Sequence, residues 1–156
     1  MPTEAPKDGK RSNVSKPTSS IPNDNAPIMK TIIVTCAIIT IDNKILAVQR
    51  SNRMSLPMKW EFPGGKLEPN ETEIACIKRE IREELNIEIE VVDRLTPSVH
   101  SYPTFTIEVI PYTANYLSGQ LQLKEHHHYL LLNKIELDTL DWAEADLPVV
   151  REVMKL

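Results

Sequence analysis

The segment Gly65–Ile87, GKLEPNETEIACIKREIREELNI, constrains the fold most tightly, because its second half reads as one helix with two opposed faces. Ile74, Ile77, Ile81 and Leu85 follow one another at intervals of three, four and four, the stripe a helix lays on an apolar core. Glu80, Glu83 and Glu84 crowd the other side, where like charges three or four residues apart repel by about a few tenths of a kcal/mol per pair. A divalent cation reverses that sign, since clustered carboxylate oxygens are the ligands that Mg²⁺ and Mn²⁺ take. The competing reading is a solvated acidic face. Asn70 or Thr72 is the expected N-cap, and Asn86, a residue tolerant of left-handed backbone, is placed to close the helix.

The rest of the chain predicts a sheet around that helix. Thr31–Thr40 is a β-branched run, Ile41-Asp42-Asn43-Lys44 a turn, and Ile45–Gln49 a second strand, together a hairpin. Ser51–Lys59 reads as a polar loop and Trp60–Phe62 as a short strand broken by Pro63-Gly64-Gly65. Further strands are expected near Ile87–Leu95, Thr104–Tyr116 and Tyr129–Leu132, with helices over Ile135–Leu140 and Leu147–Met154. Interspersed strands and helices predict an α/β (α+β) class, a mixed sheet between helices.

Residues 1–28 hold five of the twelve prolines, no aromatic residue and balanced charges, a composition that predicts a disordered tail before a domain over 29–156; Met29 is a possible alternative start. A net charge of −4 and 18 basic against 22 acidic residues speak against a stable nucleic-acid partner. Cys36 and Cys76 lie in apolar runs and are expected as buried free thiols. No apolar run reaches membrane-spanning length and no secretory leader is apparent, so the expected compartment is the cytoplasm and the expected state a monomer or homodimer. His126-His127-His128 lacks further ligands at metal-binding spacing, which makes it a weak transition-metal candidate.

Gly65, Glu71, Arg79, Glu80, Ile81, Glu83, Glu84 and Ile87 fill eight of the nine fixed positions of a longer pattern, with Asn86 where a glycine belongs. That pattern resembles the signature box of the Nudix hydrolases. WEFPGGKLEPNET, LAVQR and WAEADLPVV are similar to the MutT-type branch, the nucleoside-triphosphate pyrophosphohydrolases. The resemblance implies an α/β/α sandwich and attack of water on a phosphorus of a nucleoside triphosphate, yielding monophosphate and pyrophosphate. It further implies Mg²⁺ or Mn²⁺ held by Glu80, Glu83, Glu84 and the Gly64 carbonyl.

Roles follow residue by residue. Arg79 is expected to pair with Glu71 and orient the metal-binding glutamates, and Arg50 matches a family position that contacts phosphates. Glu125 matches an acidic loop residue near the metal and the nucleophilic water, so Glu80 and Glu125 are both candidates for the general base. Asp146 stands where the family places a base-reading side chain, although Asp before Leu147-Pro148 is also an N-cap signature. Phe105 is a stacking candidate or a core residue. The implied function is nucleotide-pool sanitation of the 8-oxo-dGTP diphosphatase type. Hydrolysis of CTP or 5-substituted cytosine nucleotides is the alternative, and a catalytically silent nucleotide sensor the reading from another class.

Overall fold

The computed structural model describes residues 30–156, so the expectations for residues 1–28 and for Met29 lie outside the described residues. Strand β1 (Lys30–Ile41) turns back into β2 (Lys44–Gln49) as predicted, through Asp42 and Asn43 at φ 51° and 64°. Those are the residue types that accept the positive φ of a tight hairpin. Short strands β3 (Trp60–Glu61) and β4 (Gly64–Lys66) precede helix α1 (Glu73–Leu85). Then come β5 (Glu88–Arg94), β6 (Ser98–Ser101), β7 (Phe105–Ser118) and β8 (His128–Leu132). Two 3₁₀ turns, Lys134–Thr139 and Glu144–Asp146, lead into α2 (Leu147–Met154).

The eight strands form one open mixed sheet with the path β3-β2-β1-β7-β5. Strands β1 and β7 run parallel, from Lys30↔Phe105 to Thr40↔Asn115, and the remaining pairs are antiparallel. Side chains alternate across β1. Ala37 and Ile39 pack with Ile77, Ile81 and Leu85 of α1, whereas Cys36 and Ile38 share the opposite core with Val149, Val150 and Val153 of α2. The result is helix, sheet, helix. Ile77, Ile81 and Leu85 are fully buried, each contributing about 1.5–3 kcal/mol of apolar transfer. Both cysteines are buried and free.

The ends of α1 match the expectation. The Thr72 hydroxyl accepts from the Ala75 N–H at 3.1 Å, and Asn86 takes left-handed backbone at φ 61°. Three local expectations need correction. Ile74 is 44% exposed; in the same first turn it is Cys76 that is buried, its thiol 3.2 Å from the Thr35 hydroxyl of β1. Pro63-Gly64-Gly65 does not simply break a strand: Gly64 and Gly65 pair with Cys36 and Thr35 of β1. Glycine allows this, since a Cβ on Gly64 would run into the Thr35 carbonyl oxygen. The segment expected as helix at Ile135–Leu140 is a 3₁₀ turn from Lys134, opened by the Asn133 N–H donating to the Glu136 carboxylate at 2.7 Å.

Candidate active site

Helix α1 and strand β4 present the acidic half of the site. Arg79 grips Glu71 at two points, Nε to Oε2 at 2.6 Å and Nη2 to Oε1 at 2.9 Å, and donates from Nη2 to the Lys66 carbonyl at 3.2 Å. Its Nη1 reaches Glu80 at 2.6 Å and Glu83 at 3.3 Å. The guanidinium holds the Glu71 carboxyl down to about 2, and the glutamates hold the Arg79 pKa up in return. One cation thus ties the loop before the helix to two carboxylates on it. A Cβ on Gly65 would meet the Glu80 carboxyl group, so glycine here lets that side chain keep its place against Arg79.

Glu84 is different. It turns inward, and its Oε1 is buried with no hydrogen-bond partner. Burial, then the charges of Glu80, Glu61 and Glu125, push its carboxyl up to about 9. Among the described residues no group of three His, Cys, Asp or Glu side chains is gathered in metal-holding geometry, since Glu80 and Glu83 lean on Arg79.

Glu84 borders a cavity of about 160 Å³ that is also lined by Gly64, Arg50, Glu61, His126 and Asp146. A neighbouring cavity of about 320 Å³ is lined by Arg50, Leu56, Glu61, Tyr102, Phe105 and Asp146. Arg50, Glu61 and Asp146 border both. Phe105 is half-buried and stacked on Tyr102, ring centroids 5.1 Å apart, which makes the pair an aromatic wall rather than deep core. The Tyr102 hydroxyl accepts the Ala145 N–H at 3.1 Å and fixes the turn that carries Asp146.

Asp146 makes no side-chain cap on α2. Its Oδ2 instead accepts the Phe62 N–H at 2.9 Å, and burial, then the Glu61 charge, raise its carboxyl to about 8. Arg50 donates from Nη1 to Glu61 at 2.8 Å and from Nε and Nη2 to the Ser55 carbonyl and hydroxyl at 2.6 and 3.0 Å. Glu125 is exposed, and its charge reaches Glu84.

The structure therefore brings Gly64, Glu84, Arg50 and Asp146 to one cavity and Phe105 to its neighbour, while Glu80, Glu83 and Arg79 stand on the helix beside Glu84 and Glu125 lies on the loop. Two residues that sequence reasoning did not assign to this site belong here: Glu61, which it left out, and His126, which it read only as a weak transition-metal candidate. The sequence signal for Glu61 was a carboxylate between two aromatics, Trp60 and Phe62, in a strand. His126 gave no signal for a place in this site, because its burial depends on loop packing.

The NUDIX domain family model matches residues 29–153. A CTP pyrophosphohydrolase of Escherichia coli is 34% identical over 128 residues, covering 82% of this chain and 95% of that protein. A putative 8-oxo-dGTP diphosphatase 2 of Mycobacterium tuberculosis is 33% identical over 65% of this chain and 73% of its own. Among solved structures, the E. coli ORF135 protein superposes with a TM-score of 0.73 at 34% identity, covering 84% of this chain and 95% of that one. A family Nudix hydrolase described as MutT, from methicillin-resistant Staphylococcus aureus 252, superposes with a TM-score of 0.68 at 44% identity, covering 82% and 98%. Among the described residues no helix is long and apolar enough to cross a membrane.

Proposed function

This chain belongs to the NUDIX family of pyrophosphohydrolases, and from that premise we propose that it hydrolyses a (deoxy)nucleoside triphosphate to the monophosphate and pyrophosphate, with Mg²⁺ or Mn²⁺ as cofactor and nucleotide-pool sanitation of the 8-oxo-dGTP type as its role. One observation carries the reading. Two adjoining cavities share Arg50, Glu61 and Asp146, with carboxylates at one end and the Phe105–Tyr102 aromatic pair at the other. A nucleotide has that same polarity, anionic and metal-bound at one end and planar at the other.

Glu80, Glu83, Glu84 and the Gly64 carbonyl would hold the cation, and the buried, unpartnered Glu84 Oε1 is the feature that fits one. A bound divalent ion supplies neutralisation of charge on the phosphates. The chain's own residues do the rest. Arg79, anchored by its grip on Glu71, pairs with Glu80 and Glu83 and fixes where they stand on the helix, and the cation would draw their carboxylates from it. Arg50 offers N–H donors to phosphate oxygens. Glu80 or Glu125 takes the proton of the attacking water, and the P–O anhydride bond to pyrophosphate breaks. The base among these two is the one whose Gln variant loses about 10²–10⁴-fold in kcat with Mg²⁺ affinity unchanged, and mild, equal losses in E80Q and E125Q would count against both.

A second reading, CTP and 5-substituted cytosine nucleotides, is favoured by the 34% identity to the E. coli CTP enzyme and by the state of Asp146. With its carboxyl raised to about 8, Asp146 is mostly neutral at pH 7 and can donate a hydrogen bond. The ring N3 of cytosine needs such a donor, whereas guanine and 8-oxoguanine, with O6 beside N1–H, pair with either form of the carboxyl, so ionisation costs cytosine alone. Pyrophosphate release from a panel of CTP, dCTP, 5-methyl-dCTP, dGTP and 8-oxo-dGTP, each with Mg²⁺ and with EDTA, tests the whole reading and ranks the two. Binding without pyrophosphate release from any of them would turn the assignment to a nucleotide sensor.

A further inference from the structure

Of the three consecutive histidines only His126 is buried, at 7% exposure. Its Nε2 lies 2.8 Å from Glu61 Oε2, while Nδ1 is buried without a partner. A carboxylate only accepts, so Nε2 carries the proton and this one bond orients the ring. The loop is tied to the strand end that carries Arg50, since the His127 N–H donates to the Gln49 carbonyl at 2.9 Å.

Glu61 gives its other oxygen, Oε1, to Arg50. With Ser55 taking Nε and Nη2, three of the five guanidinium N–H groups are engaged and two remain, five less three. Arginine and a carboxylate frequently close a fork of two parallel bonds. Here they do not, because Oε2 is turned to His126.

We propose that His126 is a positioning residue of this active site: by holding Glu61 Oε2 it keeps Glu61 from forking onto Arg50, and so leaves guanidinium N–H groups for the phosphates of the substrate. The inference rests on the reading of Arg50 as a phosphate contact. His126 touches no phosphate itself. It acts on affinity through two other side chains, which gives it a signature that a purely structural role lacks.

H126L is the direct test, because leucine fills the space and donates nothing, whereas the Gln side chain of H126Q returns an N–H to Glu61. H126L should raise KM for the preferred triphosphate about tenfold with kcat within about threefold, and H126Q should recover most of that loss. In an E61A background there is no carboxylate to release, so H126L should add nothing further. Inorganic tripolyphosphate titrated in the presence of Ca²⁺ gives the same comparison as Kd, without turnover. A wild type that binds tripolyphosphate but hydrolyses no nucleotide would sink the functional reading, while the Kd ranking would still decide the role of His126. Wild-type KM and Kd in H126L would overturn the inference, as would an H126L effect undiminished by E61A, which would place its action in the Glu125 loop. Failure of the wild type to bind tripolyphosphate overturns it too. Should H126L not fold, the shorter amide of H126N cannot reach Glu61, and the same rise in KM and Kd is expected.

Discussion

E84Q is expected to lower kcat about a thousandfold or more with saturating Mg²⁺, since losing a cation ligand at a phosphoryl centre forfeits several kcal/mol of charge stabilisation. Stability should move the opposite way. In EDTA, Glu84 is a half-buried carboxyl that must hold a proton at pH 8, well above its unfolded pKa, with an unpartnered oxygen and three acidic neighbours, Glu80, Glu61 and Glu125. Replacing it with neutral Gln removes that conflict and should stabilise the metal-free protein at pH 8 by on the order of 1–3 kcal/mol. The pH dependence has a definite sign. Glu84 and Asp146 have folded pKa values raised to about 9 and about 8, above their unfolded values near 4. Between those limits the folded protein binds more protons than the unfolded chain, so stability is fully present below about pH 4 for these groups and is lost as pH rises toward 9. Denaturant melts of wild type and E84Q in EDTA across that range check it: the wild-type slope should be steeper, and a destabilised E84Q at pH 8 would make Glu84 a structural residue.

D146N should change which base is preferred by about ten- to a hundredfold in relative kcat/KM, the worth of one buried hydrogen bond that either matches or leaves a donor unpaired. The Asn oxygen still accepts from Phe62, and its amide N–H₂ is a permanent donor, like neutral Asp146. Cytosine triphosphates should therefore gain over guanine ones, and the ranking should lose its pH dependence. In the wild type the balance should shift toward guanine as pH rises through about 8 and Asp146 ionises. D146A is a poorer probe, since it strands the buried Phe62 N–H at a cost of about 1–3 kcal/mol. Steady-state kinetics of both proteins on CTP and 8-oxo-dGTP at pH 6.5 and 9 decide, and an unchanged ranking in D146N would remove Asp146 from base recognition.

The helix was legible because its information is local. Ile77, Ile81 and Leu85 carry the period, Thr72 and Asn86 carry the ends, and the glutamates repeat at intervals that only a helix brings together. Ile74 kept the period yet stayed exposed while Cys76, two residues on, is buried against Thr35, because periodicity gives the apolar face and not which residue of a turn meets the sheet. Strand β4 was hidden by its glycines, whose usual meaning is a turn; here the missing Cβ lets the backbone lie against Thr35 and Cys36. In the candidate site, Arg50, Gly64, Glu84 and Asp146 were named from the sequence, and they share a cavity. Between them, Glu61 was not named, and His126 was read only as a weak transition-metal candidate. Glu61 and His126 meet from positions 65 residues apart, and nothing local to either predicts the pairing. Asp146 resolved in the same way: an Asp before Leu-Pro reads as a cap until Phe62, 84 residues away, is seen to donate to it.

The most direct test of the account is the identity of the products. With Mg²⁺ and each of CTP, dCTP and 8-oxo-dGTP, phosphorus NMR of the wild-type reaction should show nucleoside monophosphate and pyrophosphate in equal amounts for at least one substrate, with neither in EDTA nor with E84Q. Orthophosphate and a nucleoside diphosphate as the first products, or turnover that survives EDTA and E84Q alike, would contradict it.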